Sequence, residues 1–337
     1  MQLNSIKKIL VIKLCCIGDI IQVTPSLRAL KIAGCEVHYL CSAWASDIVD
    51  MVPFVSKKFI INMSAPGSVF KNIIDLRKEK YDLVINFHRD RRSYIFAAFL
   101  GAKYRAGFDW NGQGMFLTYK FPYDAKAHEA DRYLSVVRGL GFPDSGVQTE
   151  IKRPDKAEKK YEITGKIRIG IFPGGGKNPG TVMPTKRWPA ENFRALSEKL
   201  AAAGATVYAF GGTIDSDVLD VLRDVKGLQI IDTNLKDFAY YVSMMDLFIA
   251  GDTGPIHVAA ALGVKTLGLY GPSSPEVFGP RNPGSVNIWK KTECAPCYEP
   301  ETVHAKKFLE CADNICMQAI SVQDVKNAAD QLLAGNK

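Results

Sequence analysis

The chain has 337 residues, of which 47% are hydrophobic and 23% charged, the balance of a globular protein rather than a disordered or fibrous one. No apolar run approaches the ~20 residues of a membrane-spanning helix, and the length suits two domains, each large enough for its own core. The net charge of +8 is uneven: residues 1–155 hold 22 Lys and Arg against 15 Asp and Glu, while the remainder holds 21 against 20. A basic first half implies an anionic partner, whether an acidic acceptor, a membrane surface or nucleic acid.

The N-terminus superficially resembles a signal peptide, with Lys7 and Lys8 ahead of an apolar stretch. Lys13 interrupts that stretch, Asp19 follows soon after, and no small-residue cleavage site is evident, so the expectation is a cytoplasmic protein. Ile9–Leu14 reads instead as a first buried strand, followed by a helix over Ile20–Ala33. Between them lies Lys13-Leu14-Cys15-Cys16-Ile17-Gly18-Asp19-Ile20. A carboxylate at Asp19 could act as a general base while the helix N-terminus stabilises it; the plainer alternative is an ordinary helix-start aspartate. No Gly-x-Gly-x-x-Gly is present, so this is not a dinucleotide fingerprint.

Further strands fit Glu36–Cys41 and Leu83–Phe87. His88-Arg89-Asp90-Arg91-Arg92 follows the latter, with Lys103 and Arg105 close by. Arg89, Arg92 and Arg105 are candidate ligands for acidic sugars or phosphates, because guanidinium groups bind such anions bidentately; exposed charges on a helix are the alternative. A helix fits Ala130–Leu140, and the charged, Pro-containing segment Gly141–Lys166 reads as an interdomain linker.

A second alternating series begins at Arg168–Phe172. It is followed by Pro173-Gly174-Gly175-Gly176-Lys177, whose glycines let backbone approach a ligand closely. Lys186 and Arg187 could then meet a diphosphate, while Trp188-Pro189 opens a helix over Ala190–Ala203. The Gly-Lys-Ser/Thr ending of a P-loop is missing. The strand Thr206–Phe210 leads into Gly211-Gly212-Thr213-Ile214-Asp215, where Asp215 could accept hydrogen bonds from ribose hydroxyls; a mere Gly-Gly turn is the alternative. Strands at Leu228–Ile231, Leu247–Ile249 and Val264–Leu269, and helices at Phe238–Met244 and Val322–Leu333, complete the series. Ala250-Gly251-Asp252-Thr253-Gly254-Pro255-Ile256-His257 reads as a strand, a polar turn and a helix start. A helix start of that kind presents unpaired N–H groups and the positive end of a dipole, which suits a phosphate. Two similar α/β halves imply a cleft between them.

Of eight cysteines, Cys294 and Cys297, then Cys311 and Cys316, have spacing compatible with a tetrathiolate site for structural zinc or iron.

Taken together, these motifs resemble the ADP-heptose:lipopolysaccharide heptosyltransferase family, glycosyltransferase family 9. The resemblance spans nearly the whole chain and rests on Ile17-Gly18-Asp19-Ile20-Ile21-Gln22-Val23-Thr24-Pro25, Lys186-Arg187-Trp188-Pro189 and Asp252-Thr253-Gly254-Pro255-Ile256-His257. It implies an α/β GT-B fold with a deep interdomain cleft: a Rossmann-like acceptor-binding domain over 1–155, a Rossmann-like nucleotide-sugar-binding domain over 156–320, and a terminal helix over 321–337 that crosses back onto the first domain. The family's general base falls on Asp19, and its donor-phosphate contacts on Lys186 and on Asp252, Thr253, Gly254 and His257. Gly18, Gly175 and Arg187 join the donor set, and Asp215 matches the ribose position loosely. The implied reaction is inverting transfer of heptose from an ADP-sugar to a lipid-linked acidic saccharide, with peripheral contact with the inner membrane face. No catalytic metal and no nucleic acid are expected. The alternatives are a GT-B sugar-nucleotide epimerase, from which release of free nucleotide only in the presence of an acceptor would distinguish a transferase, and a family member using a different donor sugar or a protein acceptor; a lectin-like scaffold would need neither Asp19 nor the phosphate-binding set.

Overall fold

The computed structural model describes residues 5–175, 177–178, 181–299 and 306–335. The chain forms two compact units, Met1–Lys152 and Arg153–Lys337; the boundary expected at 155 lies close by.

The first unit runs β1 (Lys8–Ile12), α1 (Ile17–Ile32), β2 (Glu36–Cys41), α2 (Ser46–Asp50), β3 (Lys57–Ile60), α3 (Pro66–Lys78), β4 (Leu83–Asn86), α4 (Arg91–Ala98), β5 (Tyr104–Phe108), β6 (Tyr119–Phe121) and α5 (Glu129–Gly139). Its sheet is parallel, in the order β3-β2-β1-β4-β5-β6. Ile9 of β1 pairs with Val37 on one side and with Leu83 on the other. Central parallel strands are covered on both faces, which is why β1 and β4 read as continuous apolar runs. The strands that the pattern missed are β3, β5 and β6, and they lie towards the edges. Lys57, Lys58, Arg105 and Lys120 interrupt their apolar signal.

The second unit repeats the plan. It runs β7 (Arg168–Phe172), a small antiparallel hairpin of β8 (Lys177–Asn178) and β9 (Thr181–Val182), α6 (Ala190–Ala202), β10 (Thr206–Gly211), α7 (Ser216–Leu219), β11 (Leu228–Asp232), α8 (Leu235–Val242), β12 (Leu247–Gly251), α9 (Gly254–Ala261), β13 (Thr266–Tyr270), α10 (Pro275–Phe278), β14 (Ser285–Trp289), α11 (Lys306–Leu309), α12 (Ile315–Gln318) and α13 (Val322–Ala334). The parallel order is β11-β10-β7-β12-β13-β14. Both sheets therefore reverse direction of growth beside their first strand, between β1 and β4 and between β7 and β12. Ligands of open α/β sheets bind beyond the carboxyl ends of strands at such a switch point.

Trp188 closes the second core. It is fully buried, packs edge-on against Phe193 at 4.9 Å, and donates its indole N–H to the Ile320 carbonyl at 2.9 Å. The terminal helix α13 starts at a capping box in which Ser321 and Asp324 satisfy each other's backbone N–H. Its apolar face, Val325 and Ala329, belongs to the same core as Ile169, Leu196, Ile249 and Leu267. That face is buried against α6, β12 and β13 of its own unit. Among the described residues, no helix is long and apolar enough to cross a membrane.

Candidate active site

In the first unit, β1 ends just before Lys13 and delivers it to the switch point. Asp19 lies in the first turn of α1, and Gly18 is the residue before it in that helix. The ammonium of buried Lys13 sits 2.5 Å from the Asp19 carboxylate, which remains partly exposed. Burial alone would lower the lysine's pKa. The charges of Asp19, Glu129 and Cys15 outweigh it, and Lys13 stays firmly protonated. The lysine also lies over the Tyr133 ring, 5.4 Å from its centroid.

Glu129 opens α5 and was not singled out from the sequence. Burial and the neighbouring Asp19 charge push its carboxyl up to about 7, against the opposing pull of Lys13 and Arg132. Tyr133 donates its hydroxyl to it at 2.9 Å. No local sequence signal marks this residue; the packing of α5 on α1 brings it to the site.

Of the expected acceptor ligands, Arg89 is held in place. Its guanidinium stacks 4.1 Å from the Tyr123 ring centroid and 4.8 Å from that of Trp110. Arg132 stacks against Tyr123 as well and also bonds its hydroxyl at 2.6 Å, so the platform under Arg89 is itself braced. Arg92 is exposed and paired with Asp90 at 3.1 Å. Arg105 is engaged within its own unit. It donates to the Phe116 carbonyl at 2.7 Å and the Ala102 carbonyl at 3.0 Å, bracing the loop between β5 and β6.

In the second unit, three segments meet at the start of α9. Thr253 occupies the N-cap position with extended backbone, yet its side chain makes no capping bond to the helix N–H groups. Its hydroxyl is directed 3.4 Å to the Gly251 carbonyl instead, and Gly254 is the first helical residue. Gly175 follows β7 at φ +104°, and a Cβ there would lie 2.2 Å from Thr253 Cγ2. Only glycine permits both the conformation and the approach. Lys186 and Asp252 form a buried ion pair of 2.6 Å, and the Lys186 ammonium lies 3.5 Å from the Tyr298 ring centroid. Burial would raise the Asp252 pKa, but Lys186, with smaller help from Ser273 and His257, holds it below the usual carboxylate range. Two residues expected to act separately on a phosphate thus form one buried unit, with His257 beside it.

Arg187 and Asp215 clamp the glycine loop. Arg187 donates to the Gly175 carbonyl at 2.8 Å and pairs with Asp217 at 2.9 Å. The Gly175 N–H donates to the Asp215 carboxylate at 3.3 Å, and a Cβ on Gly174 would collide with that carboxylate. Asp215 and Asp217 are separated by a single residue, Ser216. Arg187 neutralises the pair, lying 3.9 Å from Asp215. Gly176 lies outside the described residues.

Cys294, Cys297, Cys311 and Cys316 are not in disulfides. Among the described residues no group of three or more His, Cys, Asp or Glu is arranged to hold a metal ion, although Cys294, Cys297 and Cys311 are all electrostatic neighbours of Cys316. The Cys316 sulfur is turned into the core, where a Cβ on Gly271 would lie 2.9 Å from it. Cys294 lies 3.4 Å from the Thr292 hydroxyl.

The model of glycosyltransferase family 9 (heptosyltransferase) matches residues 69–307. The chain is 25% identical over 295 residues to lipooligosaccharide heptosyltransferase 2 of Haemophilus influenzae, spanning 78% of this chain and 83% of that protein. It is similar in fold to a glycosyl transferase family 9 protein of Veillonella parvula, with a TM-score of 0.80 at 24% identity over 99% of each chain. It also resembles the E. coli heptosyltransferase WaaC solved with ADP-2-deoxy-2-fluoro heptose, with a TM-score of 0.74 at 16% identity over 96% of this chain and 99% of that one. The architecture is GT-B, built of two Rossmann-like domains.

Proposed function

This chain belongs to glycosyltransferase family 9 and is a glycosyltransferase, and from that premise we propose that it moves heptose from ADP-heptose to an acidic, lipid-linked core saccharide with inversion at the anomeric carbon. Asp19 takes the proton from the attacking acceptor hydroxyl. The observation that carries this reading is the Lys13–Asp19 pair: a partly exposed carboxylate fixed at the switch point of the first sheet by a buried, permanently charged lysine. A base so placed can reach a substrate hydroxyl and is already oriented before substrate arrives.

The second unit supports the donor half of the reaction. The uncapped start of α9 offers backbone N–H groups to a diphosphate. Lys186 stands ready to meet charge growing on the departing ADP while its ion pair with Asp252 keeps it aimed. The relative solved with an ADP-heptose analogue supports the choice of donor. Arg89 on its aromatic platform, in the more basic half of the chain, suits an acidic group on the acceptor.

The test is Asp19→Asn. Transfer from ADP-heptose to a heptose-deficient core saccharide is expected to fall on the order of 10²–10⁴-fold, with ADP affinity by calorimetry unchanged. Turnover near that of the parent chain would remove Asp19 from the mechanism. The anomeric configuration of the product, read by NMR, separates inversion from retention.

A further inference from the structure

The first half of the chain carries more positive charge than the transfer chemistry uses. Residues 66–105, from the start of α3 to the start of β5, hold nine Lys and Arg against four Asp and Glu. That segment supplies most of the positive excess of residues 1–155. Its two helices share one side of the first sheet. The connections from β3 to β4 and from β4 to β5 step across the sheet in one direction, and that from β1 to β2 steps in the other. Parallel crossovers are right-handed, so α3 and α4 lie on the face opposite α1. Their inner sides, with Val69, Ile73, Leu76 and Phe96, pack into a core that includes Leu10 and Val84 of the sheet.

A surface helix packed in this way ordinarily turns a polar side outward. Here the outer side is apolar as well. Phe70 and Ile74, one turn apart on α3, are 67% and 40% exposed, and Phe99, which ends α4, is 56% exposed. Arg77, one turn beyond Ile74, donates to the Phe99 carbonyl at 3.0 Å and so joins the outer sides of the two helices. Arg105 ties the turn that carries Met115 and Phe116, both exposed, to the Ala102 carbonyl just after α4. Lys71 beside Phe70, and Lys103 after Ala102, are exposed at the margins of these apolar residues. An apolar patch with a cationic rim matches a surface that is anionic outside and apolar beneath. A second copy of the same face would set like charges against each other.

We propose that the outer face of α3 and α4 docks on an anionic lipid bilayer, with Phe70, Ile74 and Phe99 entering the interface and Lys71 and Lys103 meeting lipid phosphates. The attachment is separate from the chemistry assigned to Asp19 and requires neither donor nor acceptor.

The experiment sediments the whole chain with phosphatidylcholine vesicles prepared with and without phosphatidylglycerol, over a range of salt. Phe70→Ser with Phe99→Ser removes apolar contact, and Lys71→Glu with Lys103→Glu reverses charge. Ile32→Ser is the control, since Ile32 is 63% exposed but lies on α1, across the sheet. Circular dichroism melting checks the fold, and light scattering gives the oligomeric state. The parent chain and Ile32→Ser are expected to bind the anionic vesicles, to leave the neutral ones, and to be released by salt. Each double variant is expected to lower the partition coefficient on the order of tenfold, with its melting temperature unchanged. Failure of the parent chain to bind, or binding indifferent to phosphatidylglycerol, overturns the inference. Parent-level binding by either folded double variant does so too, as does an equal loss in Ile32→Ser. A parent dimer that becomes monomeric in Phe70→Ser with Phe99→Ser, without vesicle binding, assigns the face to self-association and overturns it as well. None of these readouts needs turnover, so they stay decisive whether or not Asp19 proves to be the base.

Discussion

Each half of this chain carries a lysine–aspartate pair beside the switch point of a parallel sheet, and the strand order of the two sheets is the same. Lys13–Asp19 in the first unit closes to 2.5 Å and Lys186–Asp252 in the second to 2.6 Å. The difference between them is exposure. The Asp19 side chain is 29% accessible and that of Asp252 only 9%. A carboxylate that must exchange a proton with substrate has to be reachable, whereas one that only holds a lysine in place can be sealed in. Their settings differ in the same sense. A second carboxyl lies near the first pair, while a glycine loop and an uncapped helix start lie beside the second. One topology therefore carries an accessible carboxylate in one copy and a sealed ion pair beside an uncapped helix start in the other.

The largest effect on stability is expected at the sealed pair. Lys186→Met strands the buried Asp252 charge and should cost about 3–5 kcal/mol, read as a fall in melting temperature together with weakened ADP binding. Lys13→Met leaves a carboxylate that water still reaches, and its loss of stability should be clearly smaller. Equal losses would break the contrast drawn from exposure.

Next comes the glycine loop. Gly175→Ala puts a side chain at φ +104° and against Thr253, at a cost of about 1–3 kcal/mol. Because the loop and the α9 start share that contact, calorimetry should show weaker ADP binding. Unchanged affinity would separate the loop from the donor site.

The smallest and most diagnostic effect is a pH dependence at the first pair. Glu129 is an acid whose pKa is raised on folding to about 7. Between its unfolded pKa and about 7 the folded state binds more protons, so its contribution to stability is full at low pH and is lost as pH rises through 7. Glu129→Gln is neutral throughout. Its melting temperature relative to the parent chain should therefore climb from pH 5 to pH 8. A flat difference would remove Glu129 from the electrostatics of the Asp19 site.

The alternation of apolar strands and helices was legible because central parallel strands must be apolar on both faces. The strand β2 was read at its observed limits, and β7 likewise. Edge strands such as β3 and β14 were not, since one exposed side lets lysine, serine and asparagine break the pattern. The strand-turn-helix at Asp252–His257 was readable because a strand end, a helix start and glycine carry local chemistry. The backbone contacts of Arg105 were not legible, because basic residues look alike in sequence whether or not they brace backbone carbonyls, as Arg105 does. The terminal helix was correctly read as amphipathic, but an apolar face does not name the surface that buries it.

The sequence alone therefore determined the repeating α/β plan, the positions of the loops that follow the strands, and which residues bring a carboxylate, a lysine or a glycine to them. Only the tertiary structure decided the partnerships. Lys13 pairs with Asp19, Lys186 with Asp252, and Glu129 comes to Asp19 from a helix over a hundred residues downstream of it. The physical reason is that burial and hydrogen-bonding periodicity are properties of neighbouring residues along the chain. Electrostatic pairing and desolvation instead depend on distances through space, and the sheet crossover sets those distances once the whole unit has folded.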